Sequence, residues 1–238
     1  MDLNIDIGEG GGHDAALMEI ATSANIACGG HAGGGVVMAD AIAMAKAAGV
    51  AIGAHPGYRD PANFGRIETG HPPSAIAAEV SRQLRDFLIA AGHPPHHVKP
   101  HGALYHRADA DADVARAICE VVQELAPEAR IYAFAGGGLA ITAGELGMAV
   151  CGEGFIDRGY GPDGRLIPRG QPGAIITCPK QAAAQAVDLA SRGGVATLCV
   201  HGDGPHALDI LQAAGHALAR IGCLDTRRAI APVRGELP

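Results

Sequence analysis

Four histidines in this sequence each follow a short apolar segment and lie beside a glycine or a proline. Apolar segments of this length, bounded by Gly or Pro, are typical of buried parallel strands. A polar residue at the carboxyl end of such a strand lies at the mouth of an α/β sheet or barrel, where ligands bind and reactions are catalysed. One such histidine is typical of an ordinary core position, but four at successive strand ends indicate an active site. They are His31, His55, His101 and His201.

The first predicted strand adds a carboxylate and an amide to the same region. Asn4 and Asp6 alternate with Leu3, Ile5 and Ile7, so period-2 geometry places both polar side chains on one face of the strand. If that face is the interior of a barrel, both side chains belong to the site. A strand edge followed by a solvated loop is an equally good interpretation of this segment alone.

A divalent metal ion is one chemical use of these side chains. Asp6, His31 and His55 offer carboxylate and imidazole ligands, which suit Zn²⁺, Mn²⁺ or Fe²⁺. They show none of the close spacings, such as H-x-x-x-H, by which a metal site is recognised in a sequence. Acid–base or hydrogen-bonding roles for the same residues therefore remain an equal alternative. Glu9 follows in a glycine-rich loop beside them.

Charged residues also mark the later strand ends. Lys99 and His101 flank Pro100, and a lysine inside an apolar barrel needs a partner or a substrate anion. We therefore expect Lys99 to bind a substrate carboxylate or a transferred phosphate. Glu153 and Asp157 lie near the next polar strand end and are further candidates.

A long segment rich in Gly, Pro and Arg, residues 154–172, has the length and composition of a functional lid. Arg158 and Arg169 bracket it and are predicted to clamp a carboxylate or a phosphate, with a surface ion pair as the alternative. Asp203 follows His201 by two residues and is a candidate to orient that imidazole. By contrast, the histidines of the Pro-rich segment 93–97 read as ordinary turn residues.

Composition restricts the class of protein. The chain has 238 residues, is 48% hydrophobic and only 3% aromatic, and so predicts one domain, residues 1–238, with aliphatic side chains filling the barrel interior. The net charge of −7, with no block of Lys or Arg, argues against nucleic acid and membrane partners. Scattered cysteines and an N-terminus without a basic or apolar leader predict a cytoplasmic protein.

Strand-like and helix-like segments alternate along the chain. Because polar residues follow nearly every predicted strand, a closed or nearly closed barrel is favoured over an open doubly wound sheet, whose ligand lies at one switch point. The odd number of strands predicts an irregular barrel. The predicted strands are residues 2–7, 23–27, 50–54, 97–99, 130–134, 149–152 and 196–200.

Ordered motifs over nearly the whole chain resemble those of the LamB/YcsF family. They are DLNIDIGE at residues 2–9, TSANIACG at 22–29 with HAG at 31–33, AHPGY at 54–58, FGR at 64–66, KPHGALY at 99–105, EGFIDR at 153–158, IPR at 167–169 and VHGD at 200–203. The family usually reads CGFHAGD where this chain has CGGHAGG, so Gly30 and Gly34 replace an aromatic residue and a carboxylate. Since both changes are expected near the barrel mouth, a substrate different from that of the family stays an open alternative.

The resemblance implies an irregular (β/α)7 barrel similar to the glycoside hydrolase/deacetylase superfamily. It also implies the A subunit of a prokaryotic ATP-dependent 5-oxoprolinase, which opens the lactam of 5-oxoproline to L-glutamate, with ATP as cosubstrate and subunits B and C as partners. A homo-oligomer is a further expectation. Two alternatives stay open: a metal-dependent amidase, lactamase or deacetylase-like hydrolase that uses no ATP, and a non-catalytic subunit that binds substrate for its partners.

The motifs and strand ends together give the predicted site. Catalytic roles are predicted for Asp6, Lys99, His101, Glu153, Asp157 and His201; substrate-binding roles for Asn4, Asn25, Arg66, Arg158, Arg169 and Asp203; and metal ligation for Asp6, His31 and His55.

Overall fold

Seven parallel strands close into a barrel in the computed structural model of the protein, which describes residues 1–204 and 206–224. The strands follow one another in chain order, and the last pairs with the first, Thr197 opposite Asp2. The predicted irregular α/β barrel is confirmed. Its strands are β1 (Asp2–Ile7), β2 (Ser23–Ala27), β3 (Ala51–His55), β4 (His97–Val98), β5 (Arg130–Phe134), β6 (Val150–Phe155) and β7 (Thr197–Val200).

Helices cover the outside of the barrel. Their bounds are α1 (Asp14–Met18), α2 (Gly35–Ala48), α3 (Pro73–Ala91), α4 (Gly102–Ala110), α5 (Ala112–Leu125), α6 (Gly138–Glu145), α7 (Pro179–Ser191) and α8 (Ala207–Arg220), with a 3₁₀ turn at Pro61–Asn63.

The longest of these helices shows why such segments form. In α3, Ile76, Val80, Leu84 and Phe87 recur at helical spacing and are buried along one face. Gly92 ends the helix in the left-handed conformation that glycine adopts without strain. In the described part of the chain, no helix is both long and apolar enough to cross a lipid bilayer.

The apolar core lies between the barrel and its helices, not inside the barrel. Leu3, Ile5 and Ile7 of β1 are fully buried in the main hydrophobic cluster. Asn4 and Asp6 point the other way and make hydrogen bonds to side chains of other strands across the interior. The prediction of aliphatic layers inside the barrel is therefore wrong. A polar interior must instead be satisfied by hydrogen bonds between its own members.

Strand boundaries differ from the prediction at three site residues, one of which is Lys99, which follows β4 instead of lying within it. β6 continues to Phe155 rather than ending at residue 152, so Glu153 lies within the strand and pairs with Phe134 and Thr197. β3 includes His55 as its last residue. The glycines at 152 and 154 resemble a strand end in the sequence, but backbone pairing on both sides overrides that local signal.

The segment predicted at residues 154–172 therefore begins inside β6, and its loop starts after Phe155. The loop is held by Arg158, which donates from Nε to the carbonyl of Ala174 (3.1 Å) and from Nη2 to that of Ile167 (2.8 Å). The single domain predicted for residues 1–238 stays a prediction, since residues 205 and 225–238 lie outside the described part of the chain.

Candidate functional site

The carboxyl ends of the strands open into a small cavity of about 40 Å³, which we call the inner cavity. It continues outward into a wider cavity of about 520 Å³. The structure brings to the inner cavity most of the residues that the sequence predicts, together with an apolar wall. Its lining includes Asp6, His55, Arg66, Lys99, His101, Tyr105, Phe155, Arg158, Leu166, Arg169 and His201.

Lys99 lies at the base of the inner cavity and is 2% exposed. Its Nζ lies 3.0 Å from Asp6 Oδ1, 2.9 Å from Glu153 Oε1, 3.2 Å from Asn4 Oδ1 and 3.0 Å from Cys199 Sγ. Burial alone would lower the pKa of Lys99, but Asp6 and the other anionic neighbours raise it well above its usual value. Its charge therefore persists and is already neutralised within the protein. The expectation that Lys99 offers a free charge to a substrate anion does not fit this geometry.

We call Asn4, Asp6, Lys99 and Glu153 the lysine cluster. Burial would raise the pKa of Asp6, but Lys99 and His55 hold it well below its ordinary value, so Asp6 is ionised. The lysine cluster is therefore a buried network of fixed charges.

Asn4 and Asn25, predicted to bind substrate, are both fully buried and absent from the cavity lining. Asn25 donates to Asn4 Oδ1 (2.7 Å) and Asp6 Oδ1 (2.8 Å). On its other side it pairs with His97 Nε2 at 2.7 Å, and the His97 ring stacks on Tyr132. These amides thus position the lysine cluster. His97 is fully buried inside the barrel, so its interpretation as a turn residue is wrong.

Glu9, His31, His55 and His101 form a second group, the histidine cluster. One ligand atom from each lies within 4.8 Å of the others. Glu9 Oε1 is 2.8 Å from His31 Nε2, 3.3 Å from His101 Nδ1 and 3.7 Å from His55 Nε2. The rings of His31 and His101 stack with centroids 3.5 Å apart. Buried imidazoles thus surround one carboxylate oxygen.

Backbone carbonyls fix the tautomers of two of these histidines. His55 Nδ1 lies 2.7 Å from the carbonyl of Lys99, and His101 Nε2 lies 2.9 Å from that of Phe64. A carbonyl only accepts, so each of these nitrogens carries a proton. In the neutral rings, the other nitrogens, His55 Nε2 and His101 Nδ1, then direct lone pairs toward one another across 3.0 Å. That contact is favourable only when a proton or a cation lies between them.

The donor set fits a divalent metal ion. Imidazole nitrogens and one carboxylate are the ligands that Zn²⁺ and related ions prefer, and backbone carbonyls commonly hold the outer N–H of a ligating histidine. Burial lowers the pKa of both His31 and His55, which favours the neutral form that ligates metal. Asp6, placed in the predicted ligand set, lies 3.6 Å from His55 Nε2 and is engaged by Lys99 instead. Glu9 and His101 complete the group in its place.

A strained turn supports the histidine cluster. Phe64 has φ of 55°, the only positive value for a non-glycine residue in the described ranges 1–204 and 206–224, and its carbonyl accepts from His101. Gly65 follows with φ of 61°, and a Cβ there would lie 2.7 Å from His31 Cβ. Only glycine fits this close approach. The FGR motif thus shapes the wall of the cluster.

His201 and Asp157 form a third group at the cavity. His201 Nδ1 lies 2.8 Å from Asp157 Oδ2, which also accepts from the His201 backbone N–H at 3.0 Å. Burial would raise the pKa of Asp157, but His201 lowers it below its usual value, so it is ionised. The carboxylate holds the proton on Nδ1 and leaves Nε2 as a base. Asp203, the predicted orienting partner, pairs with Arg66 instead.

Arg66, Arg158 and Arg169 meet at the outer side of the inner cavity, and we call them the rim arginines. Burial and the neighbouring Arg169 lower the pKa of Arg158 to about 10, and burial and Arg66 lower that of Arg169. Asp203 compensates the charge of Arg66, so Arg158 and Arg169 supply the remaining positive charge that favours an anion at the rim. The prediction that arginines of the long loop clamp a carboxylate or phosphate is consistent with this geometry.

Gly30 and Gly34, the two positions that differ from the usual family motif, lie outside the inner cavity. A Cβ at Gly30 would lie 2.5 Å from the carbonyl oxygen of Gly57 and 2.7 Å from Gln83 Oε1. The buried Gln83 side chain fills this space and bonds both backbone groups of Gly57. Gly34 precedes α2 as its N-cap. Neither glycine lines the inner cavity, so the alternative of a different substrate finds no support in their positions.

Known proteins resemble this arrangement over the whole barrel. A family model described as the LamB/YcsF family matches residues 1–229. The crystal structure of a lactam utilization protein from Thermus thermophilus is 39% identical, with a TM-score of 0.84, over 93% of this chain and 97% of that chain.

Two more distant structures share the fold alone. The family 4 carbohydrate esterase from Streptomyces lividans in complex with acetate is 12% identical, with a TM-score of 0.54, over 93% of this chain and 88% of that chain. SacUVDE is 11% identical, with a TM-score of 0.51, over 94% of this chain and 100% of that chain.

Proposed function

The chain belongs to the LamB/YcsF family, and from that premise we propose that it is the A subunit of an ATP-dependent 5-oxoprolinase. This enzyme opens the lactam of 5-oxoproline to L-glutamate. The observation that carries the proposal is the inner cavity, which places a cationic rim above an oriented His201–Asp157 pair. The wider cavity outside it, about 520 Å³ and bordered by the same three arginines, is in the range of small-molecule sites, and 5-oxoproline is a small molecule with one carboxylate. The 39% identical lactam utilization protein supports the same class of substrate.

A five-membered lactam is a stabilised amide, so its opening needs activation. In the proposed sequence, ATP transfers its γ-phosphoryl group to the lactam oxygen and ADP leaves. Water adds to the activated carbon, the ring C–N bond breaks, and the resulting acyl phosphate is hydrolysed by a second water to L-glutamate and phosphate.

This chain's own residues account for binding and proton transfer. The rim arginines bind the substrate carboxylate or the phosphoryl oxygens, whose charge they neutralise. His201 takes the proton of the attacking water at Nε2, and Asp157 stabilises the imidazolium that forms. The lysine cluster holds the base of the cavity in place.

Reconstitution tests the proposal. The purified chain is assayed for 5-oxoproline-dependent release of ADP and formation of L-glutamate, by itself and with candidate subunits B and C. We expect turnover only with the partners. His201→Asn should slow turnover by about 10²–10⁴-fold, whereas His216→Asn, at an exposed histidine of α8, is the matched control and should leave turnover unchanged. ATP-dependent turnover by the isolated chain would contradict its role as one component of a larger enzyme, and no turnover with partners would contradict the function.

A second candidate function is metal-dependent amide hydrolysis without ATP, which the histidine cluster favours. Glu9, His31, His55 and His101 would hold the ion, which supplies Lewis-acid activation of a carbonyl or of water. The protein is assayed for lactam and amide hydrolysis without ATP after loading with Zn²⁺ or Mn²⁺ and after chelation. Hydrolysis that requires metal but no ATP would replace the first proposal with this one. ATP-dependent turnover that survives chelation would exclude it.

A further inference from the structure

The inner cavity is far smaller than the wider cavity, about 40 Å³ against about 520 Å³. One water molecule needs about 10–15 Å³ of such space, so the inner cavity admits a few water molecules at most. A lactam ring that carries a carboxylate does not fit into it, whereas the wider cavity is in the range of small-molecule sites. The two cavities therefore suit different reactants.

The side-chain N–H groups at the base of the inner cavity are directed at acceptors of the protein. Lys99 has three N–H groups and lies within 3.2 Å of four acceptor atoms. His55 donates from Nδ1 and His101 from Nε2 to backbone carbonyls. In their neutral form, these residues have no N–H left for a ligand.

Two acceptor atoms, by contrast, have no donor. Asn25 and Lys99 both donate to Asp6 Oδ1, and Oδ2 accepts no hydrogen bond from the described residues. Asp157 holds His201 through Nδ1, and His201 Nε2 likewise has no partner in that part of the chain. Neither atom is among the fully buried polar atoms that lack a partner, so both are open to the cavity that Asp6 and His201 line.

A water molecule matches two acceptors because it has two hydrogens to donate. When one hydrogen goes to Asp6 Oδ2 and the other to His201 Nε2, both lone pairs of the water oxygen stay free. An attacking nucleophile requires such a free lone pair. The wider cavity, where Arg158 and Arg169 favour an anion, lies on the outer side of this water.

We propose that the inner cavity is the pocket of the attacking water, held by Asp6 Oδ2 and His201 Nε2, and that the lactam binds outside it in the wider cavity. The inference rests on the proposed function and deepens it, since it assigns the nucleophile and the substrate to separate places. It also gives Asp6 a direct contact with the reacting water.

The proton transfers follow from this arrangement. The water oxygen bonds to the activated lactam carbon, the π electron pair of the C–N bond moves to the ring nitrogen, and one water proton goes to His201 Nε2. As the C–N bond breaks, the carbonyl of the acyl phosphate forms. The nitrogen then takes up the proton from the imidazolium and the second proton of the former water. Asp6 orients the water and takes no proton, because Lys99 lies 3.0 Å away and stabilises its charge.

Crystal structures of the full chain test the pocket directly, one without ligand and one soaked in 5-oxoproline at millimolar concentration. We expect an ordered water about 3 Å from both Asp6 Oδ2 and His201 Nε2 in each structure, and 5-oxoproline in the wider cavity. If no water bridges the two atoms, or if 5-oxoproline enters the inner cavity and displaces it, the assignment is refuted.

Kinetics of the complex with subunits B and C test the place of the substrate. Ala103 lines the wider cavity but not the inner one. Ala103→Leu should raise KM for 5-oxoproline by about tenfold and change kcat less, because the larger side chain occupies substrate volume. The matched control is Ala112→Leu, at an exposed alanine of α5, which should keep the wild-type KM.

The outcomes separate this inference from the proposed function. An unchanged KM in Ala103→Leu refutes the binding of the lactam in the wider cavity and leaves the proposed function standing. The crystal structures need no variant, so they decide the question even if Ala103→Leu fails to fold. If 5-oxoproline does not bind in the crystal, the ligand-free structure and the KM of Ala103→Leu decide it. Absence of turnover in the reconstituted complex contradicts the proposed function and this inference with it.

Discussion

Replacing Lys99 by methionine tests the buried charge network. The substitution keeps most of the side-chain volume and removes an ammonium that lies 3.0 Å from Asp6 and 2.9 Å from Glu153. Removing one partner of a buried ion pair costs about 3–5 kcal/mol, because the remaining charge is left uncompensated. Since Lys99 faces two carboxylates, we expect a loss near the upper end of this range. A domain of ordinary stability would lose a third or more of its free energy of unfolding.

Urea unfolding of four proteins measures the effect: wild type, Lys99→Met, Glu153→Gln and the double variant. The double variant should be less destabilised than the sum of the single variants, because each single change leaves a charge or donor unpaired. Lys180→Met, an exposed lysine of α7, is the control and should change stability by less than about 0.5 kcal/mol.

The free energy of unfolding of Lys99→Met should depend on pH in the opposite direction to that of the wild type. In the wild type, Lys99 holds the pKa of Asp6 below its ordinary value, so this stability is present above the unfolded pKa of about 3.9 and is lost as the pH falls. Without Lys99, burial raises the folded-state pKa of Asp6, and the variant gains stability as the pH falls. The difference between the two proteins should narrow from pH 7 to pH 4. A variant with wild-type stability at pH 7 and an unchanged pH profile would refute the reasoning.

Four further predictions concern the other groups. Glu9→Gln should lower the divalent metal retained after dialysis by about tenfold or more, measured by elemental analysis; equal retention would contradict the metal site. His201→Asn should lower kcat by about 10²–10⁴-fold with an unchanged melting temperature, and Asp157→Asn by less, in the reconstituted assay. Arg169→Ala should raise KM for 5-oxoproline more than it lowers kcat, and the reverse pattern would argue against substrate anchoring. Burial lowers the pKa of His97 to about 3, below its unfolded value near 6.5, so stability should fall by up to about 1.4 kcal/mol per pH unit as the pH drops from 6.5 to 5. His97→Gln should flatten this slope in urea titrations.

The strand ends can be predicted from the sequence because their signals are local. An apolar run that leads to a histidine beside Gly or Pro predicts the positions of His31, His55 and His101 without any knowledge of contacts. Glu153 is predicted to follow its strand because two glycines flank it, and glycine indicates a turn when it is considered alone. The register of β6 against both neighbours places Glu153 within the strand. Register is a property of the closed sheet and is absent from any local window.

The partners that compensate the charge of Lys99 also cannot be predicted from its neighbours in the sequence. Lys99 is expected from the sequence to meet a substrate anion, since a buried lysine needs a partner and its neighbours in the chain offer none. Its partners Asp6 and Glu153 lie on strands 93 and 54 residues away in the chain, and only closure of the barrel brings them within 3.0 Å. The same closure joins Glu9 to three histidines from other segments.

The sequence by itself determined the alternation of strand and helix, the closed α/β barrel and the face shared by Asn4 and Asp6, because backbone geometry and hydrophobic periodicity act over a few residues. The tertiary structure alone decided which face of the strands meets the aliphatic core. It also decided that the barrel interior is polar and that the carboxylate beside the histidines is Glu9 rather than Asp6. These outcomes depend on distances between groups far apart in the chain, which the closure and register of the barrel fix.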